Sequence, residues 1–182
     1  MPTFDKRFLQ RIRVPLGFVF AILFVVFSRP KFWSLVVGSL VALIGVLIRA
    51  WASGHIRKAS ELAVSGPYAY TRNPLYRGSL ILGFGFTIAA GVWWLGLLFI
   101  LLFLGIYLPV MRVEVDDIRR IFGPAFDEYE RDVPLFLPRL SPSKKTGRKF
   151  DFSLYLKYRE YRAAIGTAVA IAALSAKAYF LP

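Results

Sequence analysis

The sequence predicts an all-α, polytopic integral membrane protein with five transmembrane helices and a cytoplasmic N-terminus, and three observations lead there. Hydrophobic residues make up 57% of the 182, and mean hydropathy is +0.54, more apolar surface than one soluble domain of this length can bury. Apolar stretches run over 14–27, 32–48, 79–108 and 163–180, to be set against a hydrocarbon core that takes about 20 helical residues to cross. The basic residues lie between these stretches and do not form one stripe. A net charge of +13 therefore fits the flanks of membrane spans, with membrane lipids as partners, and excludes nucleic acid.

The first stretch is short and is followed at once by Arg29-Pro30-Lys31, so it and 32–48 form a tight hairpin. Its basic N-terminal flank, Lys6, Arg7, Arg11 and Arg13, resembles a secretory signal, but no small-x-small cleavage site follows, and the span is expected to be retained. The uncharged stretch 79–108 is too long for one ordinary span, and Ala89-Ala90-Gly91 before Trp93-Trp94 reads as a turn at an aromatic interface. Charge decides between one helix and two. With a hairpin here, all of the 24 Lys and Arg residues except Arg29, Lys31 and Lys177 fall on the cytoplasmic side. A single helix would carry residues 112–162 to the other face and reverse the positive-inside bias.

The chain is thus one membrane domain over 1–182: a first helical hairpin at 14–52, a core at 53–138 containing the third and fourth spans, a basic loop at 139–162, and a C-terminal span at 163–181. In the basic loop Lys144, Lys145, Arg148 and Lys149 are expected to meet anionic headgroups. Both sizeable polar segments, 53–77 and 112–162, lie on the cytoplasmic face and can build one site. Cysteine is absent, and His55 is the single histidine, so no metal site is expected.

The first polar segment holds Gly66-Pro67-Tyr68-Ala69-Tyr70-Thr71-Arg72-Asn73-Pro74-Leu75-Tyr76-Arg77-Gly78. Its prolines force looped backbone, which at membrane depth survives only against protein, water or a ligand. Tyr68, Tyr70, Arg72, Asn73 and Tyr76 supply pocket groups, and Pro74 falls in the first turn of the third span, where backbone donors and Arg72 can face a carboxylate. The same residues also suit an interfacial anchor. Gly78, Gly83 and Gly85 further along admit either a neighbouring helix or the flat face of a ligand.

In the second segment the fourth span continues as an amphipathic helix with Val115, Ile118 and Phe122 on one face, ended by Gly123-Pro124. Glu114 stands less than a turn beyond the apolar border, where a carboxylate is costly unless paired. It is a site candidate, with pairing to Arg112 or Arg119 as the alternative. Asp116, Asp117, Arg119 and Arg120 belong to a solvated face. Tyr129, Val133-Pro134, Phe136 and Pro138 read as an extended segment lying over the membrane surface.

Together the two segments resemble the isoprenylcysteine carboxyl methyltransferases and their relatives, the phospholipid N-methyltransferases. The resemblance covers about 54–138. It rests on Gly66, Tyr68, Arg72-Asn73-Pro74, Tyr76 and Gly78, and on Glu114 followed by Phe122-Gly123, Tyr129, Val133-Pro134 and Pro138. Asn73 stands where the family has histidine, Val115 where it has a second glutamate, and Phe126 where it often has tyrosine. The resemblance implies a pocket for S-adenosylmethionine at the cytoplasmic membrane face, bound by the first motif, the glycines and the acidic motif. It also implies methyl transfer to a lipidic or other hydrophobic acceptor, such as a carboxylate, amine or thiol. In that picture Arg72 and the tyrosines hold the donor's carboxylate and ring, Glu114 pairs with its amino group or orients the acceptor, and Arg112 steers an anionic acceptor. An NADPH-dependent membrane sterol or enone reductase is the alternative enzyme, and a membrane scaffold without activity is a third reading.

Overall fold

The computed structural model describes residues 6–57, 60–143 and 148–180, with side chains from residue 15 onward. The described residues are helical and contain no strand: α1 Lys6–Phe27, α2 Phe32–Ser53, α3 Pro74–Ala89, α4 Trp93–Phe122, α5 Pro124–Asp132, α6 Phe152–Lys157 and α7 Tyr161–Phe180, with a 3-10 turn at Gly66–Ala69. Three of these, α2, α4 and α7, are long and apolar enough to cross a membrane, at 22, 30 and 20 residues. The apolar part of α1 is shorter, Pro15–Phe27, and α3 has 16 residues. Large apolar side chains such as Phe18, Ile22, Leu40, Leu47 and Val169 point outward, as lipid contact requires and water does not tolerate over such an area.

The expected turn within the stretch 79–108 is present. Gly91 takes φ +70, and a Cβ there would come 2.4 Å from the Arg29 carbonyl oxygen. That close approach lets Arg29 N–H donate to the Ala90 carbonyl at 2.7 Å, so the α1–α2 and α3–α4 connections meet at one end of the bundle. Ser34 joins them by donating to the Ala89 carbonyl at 3.2 Å.

The most extensive helix packing is α2 against α3, along a seam of small residues. Gly38, Ala42 and Gly45 of α2 face Gly78, Gly85 and Ala89 of α3 at backbone distance. Without side chains in the way, the helices gain dispersion contact that lipid cannot supply. At the other end of the bundle α4 runs on past its apolar part into the polar residues 112–122. Its Val115, Ile118 and Phe122 pack on a small core of Phe126, Tyr129 and Val133. Gly123, at φ +52, reverses the chain, and Pro124 starts α5 in the helix position where a missing N–H costs nothing.

Several expectations are corrected. The first helix starts at Lys6, ahead of the apolar run at 14, and tolerates Pro15 in its interior. Tyr129 belongs to α5 rather than to an extended stretch; the extended backbone begins at Val133. The segment 139–162 is not loop throughout, because Asp151 caps α6 by accepting from the Ser153 N–H at 2.9 Å, and the last helix begins at Tyr161. The expected headgroup contacts of Lys144 and Lys145 lie outside the described residues.

Candidate functional site

The two polar segments meet. Tyr76 on the first turn of α3 donates its phenolic hydrogen to Glu114 on α4 at 2.8 Å, and Arg72 pairs with Glu130 of α5. Backbone bonds close the junction: Arg72 N–H to the Pro134 carbonyl at 3.0 Å, Arg139 N–H to Tyr70 at 2.9 Å, and Ser143 N–H to Ala69 at 3.0 Å. Thr71 Oγ1 donates to the Phe136 carbonyl at 3.1 Å, and Tyr129 Oη to the Tyr68 carbonyl at 2.8 Å. Proline-rich backbone lacking internal partners finds them in the opposite segment, as buried polar groups must.

Between the segments lies a cavity of about 730 Å3, within the size range of small-molecule sites. Tyr68, Arg72, Asn73, Pro74, Tyr76 and Glu114 all line it. Its apolar wall includes Tyr107, Ile118, Phe122, Phe126 and Tyr129, and polar lining comes also from Arg49, Arg57, Glu61, Ser79, Asp117 and Glu160. Tyr107 and Phe103 stack at 4.5 Å, and Tyr76 leans on Tyr107 at 5.3 Å.

Electrostatics at one side centre on Glu130, which bridges Arg72 and Arg119; Arg119 also reaches Asp127 at 2.9 Å. The Phe126 ring has both guanidinium carbons over it, at 5.9 and 5.6 Å, a cation–π arrangement in which phenylalanine serves without a hydroxyl. Burial pushes the Tyr68 and Tyr129 phenols well above the usual tyrosine range, with the charge of Arg72 opposing the shift at Tyr129. Both therefore act as neutral donors at any physiological pH.

Two polar atoms in this lining are buried without a partner: Tyr68 Oη and Arg72 Nε. Such orphans are rare in folded proteins and call for an explanation. Both belong to residues that line the cavity, beside the Glu114 carboxylate and the aromatic wall. This set suits a molecule with acceptor atoms, a positive charge and a flat ring, and S-adenosylmethionine has all three.

Not every expected residue is brought there. Arg112 is exposed and does not line the cavity. Gly78 and Gly85 face α2, where a Cβ would lie 2.6 Å from Arg49 Cγ and 2.4 Å from Ala42 N, and Gly83 faces the Phe99 ring at 2.2 Å. The glycines thus bring helices together and leave no ligand face. Asn73 spends its amide on the Leu135 carbonyl at 3.0 Å, tying the α3 entrance to the second segment. Sequence reasoning missed Arg49, Glu130 and Glu160. Arg49 could have been flagged as a lone charge at the end of an apolar helix; Glu130 and Glu160 sit in charged runs with no distinguishing signal.

Residues 33–125 match the phospholipid methyltransferase family. The chain belongs to that family. It is a multi-pass integral membrane protein, with three helices of spanning length and apolarity. It is 36% identical over 109 residues to the nickel-cobalt-cadmium resistance protein NccN of Alcaligenes xylosoxydans xylosoxydans, a match covering 59% of this chain and 51% of that protein. It is 38% identical over 112 residues to the cobalt-zinc-cadmium resistance protein CzcN of Cupriavidus metallidurans, covering 59% and 50%. The chain thus spans about half the length of these curated relatives. No solved structure matches it.

Proposed function

We propose that this protein transfers a methyl group from S-adenosylmethionine to a lipidic or other hydrophobic acceptor at the cytoplasmic face of the membrane. The observation that carries the reading is one cavity lined jointly by Tyr68, Arg72, Tyr76 and Glu114, drawn from both polar segments, with a buried unpartnered donor on each of Tyr68 and Arg72. The topology proposed with it has five spans: α1 and α3 cross with help from their polar ends, and the positive-inside bias puts the cavity in the cytoplasm.

Bound there, S-adenosylmethionine supplies an activated methyl group on a sulfonium. The protein's part is positioning, which is the larger share of the barrier for a displacement that needs in-line approach. Arg72 and Tyr68, both in the lining, are the donor-bearing side chains for the cofactor's oxygen and nitrogen atoms. Glu114, held by Tyr76, gives a fixed negative charge for its positive end or for a nucleophile that loses a proton. An amphiphilic acceptor has access from the side, where Ile121 lines the cavity while 56% exposed.

The two relatives are named for resistance to nickel, cobalt, zinc and cadmium; a contribution of this chain to such resistance would run through methylation of a membrane component. Among the described residues no group of three or more His, Asp or Glu side chains is placed to hold a metal ion, so no specific observation favours metal ligation as a second reading. The test is titration of purified protein with S-adenosylmethionine and with NADPH, followed by incubation of lipid extracts with labelled methyl donor. Donor binding that weakens at least tenfold in Arg72→Ala and in Glu114→Gln, with label entering a lipid, is expected. Binding of NADPH alone would identify a reductase, and binding of neither a scaffold.

A further inference from the structure

The cavity holds an ion pair that neither motif segment supplies. Arg49, near the end of α2, donates to Glu160, in the corner between α6 and α7, from Nε at 3.1 Å and from Nη2 at 2.8 and 2.9 Å. Its Nη1 donates to Ser79 Oγ at 2.5 Å. The two side chains are only 23% and 13% exposed, and both line the cavity. Glu160 falls outside the family match at 33–125.

Stability alone is a poor reason for such a pair, because the attraction between two withdrawn charges rarely exceeds the cost of desolvating them. Other features of the chain serve it nonetheless. Gly78 makes room for the Arg49 stem, since a Cβ would stand 2.6 Å from Arg49 Cγ. Arg159, next to Glu160 in the chain, is the one non-glycine residue with positive φ among those described, at 55°, a conformation that costs roughly 1–2 kcal/mol.

A third observation points to a ligand. Tyr68 lines the same cavity, and its Oη is buried and without a partner. Burial raises its pKa most, then the neighbouring Tyr129 and Glu160, so the hydroxyl stands within electrostatic reach of the pair. At most four of the five Arg49 N–H groups are engaged, and Glu160 Oε1, which accepts one bond where Oε2 accepts two, can accept again. A receptor that is itself neutral overall leaves no buried charge uncompensated when its ligand is also neutral overall.

We propose that Arg49, Glu160 and Tyr68 form a receptor for a zwitterionic ligand end, with an ammonium on Glu160 and an adjacent carboxylate or phosphate on Arg49 and Tyr68 Oη. Two molecules could bring that chemistry, the amino-acid end of the methyl donor or the head group of an amphiphile. The first source rests on the methyl-transfer reading; the second does not.

The experiment uses the full chain in nanodiscs and four probes in two pairs. S-adenosylhomocysteine carries the zwitterion and 5′-methylthioadenosine lacks it; a short-chain aminophospholipid carries it and the matching diacylglycerol lacks it. Glu160→Gln and Tyr68→Phe are each expected to weaken the zwitterionic member of one pair about tenfold and leave its counterpart unchanged. Loss confined to the adenosine pair assigns the donor as the source, and loss confined to the lipid pair assigns the amphiphile. If the wild type binds neither adenosine probe, the methyl-donor reading fails, and the lipid pair still decides the receptor. The swapped variant Arg49→Glu/Glu160→Arg rebuilds the ion pair reversed and is expected to restore thermal stability without restoring binding. Unchanged affinity for both zwitterions in Glu160→Gln, or binding restored together with stability by the swap, would show a clasp between helices and overturn the proposal.

Discussion

Gly85→Ala separates the two readings of the α3 glycines most directly. A Cβ at this position would lie 2.4 Å from Ala42 N, 2.7 Å from the Gly38 carbonyl oxygen and 2.8 Å from Ala42 Cα. All three atoms are α2 backbone and cannot rotate away, and ordinary contact begins at 3.4 Å, so the helices must part by about 1 Å. Overpacking of this kind costs about 1–3 kcal/mol, and the intrinsic gain of alanine over glycine in a helix returns about 1 kcal/mol. The balance is a loss of up to about 2 kcal/mol, a fall in Tm of up to about 8 °C at the sensitivity of a chain this size. Gly105→Ala on α4 is the control, because nothing lies within 4 Å of its Cβ; there only the helix gain remains, and Tm should hold or rise slightly. Thermal unfolding of both variants in one detergent, followed by tryptophan fluorescence, gives the comparison. Equal Tm for Gly85→Ala and wild type, with loss of donor binding, would refute the packing argument and return Gly85 to the ligand.

Other expectations follow from the same geometry. Tyr76→Phe removes the hydroxyl given to Glu114 at 2.8 Å; a bond to a charged group contributes about 1.5–3 kcal/mol, so methyl transfer should fall at least tenfold and Tm by several degrees. The chain has no cysteine, so single cysteines at Arg57 and Arg120 should react with an impermeant reagent from the same side of the membrane, and one at Trp33 from the other; opposite labelling of the first two would abolish the shared cavity. Burial raises the pKa of Tyr68 and Tyr129 above 10.0, so their contribution to stability is complete below that pH and is lost as pH climbs toward the folded values. Tyrosinate absorbance from these two should appear only with unfolding, and their ionisation near pH 10 in folded protein would contradict their burial.

Local signals carried much of this fold. The turn at Ala90-Gly91, the end of α4 at Gly123 and the inward face Val115, Ile118 and Phe122 were legible because each depends on residues close in sequence: a glycine able to take positive φ, a proline, a repeat at helical spacing. The nine-residue α5 was missed because Gly123-Pro124 reads as a stop, although proline equally begins a helix.

The sequence by itself determined that the chain is helical and membrane-embedded, and that Arg72, Tyr76 and Glu114 belong to one motif set, because hydropathy, charge bias and spacing are properties of neighbouring residues. Only the tertiary structure decided that Gly78 and Gly85 face α2, that Arg112 stays outside, and that Arg49 meets Glu160 across 111 positions of chain. A side chain's partner is chosen by the helix that packs beside it, and no local pattern encodes which helix that is.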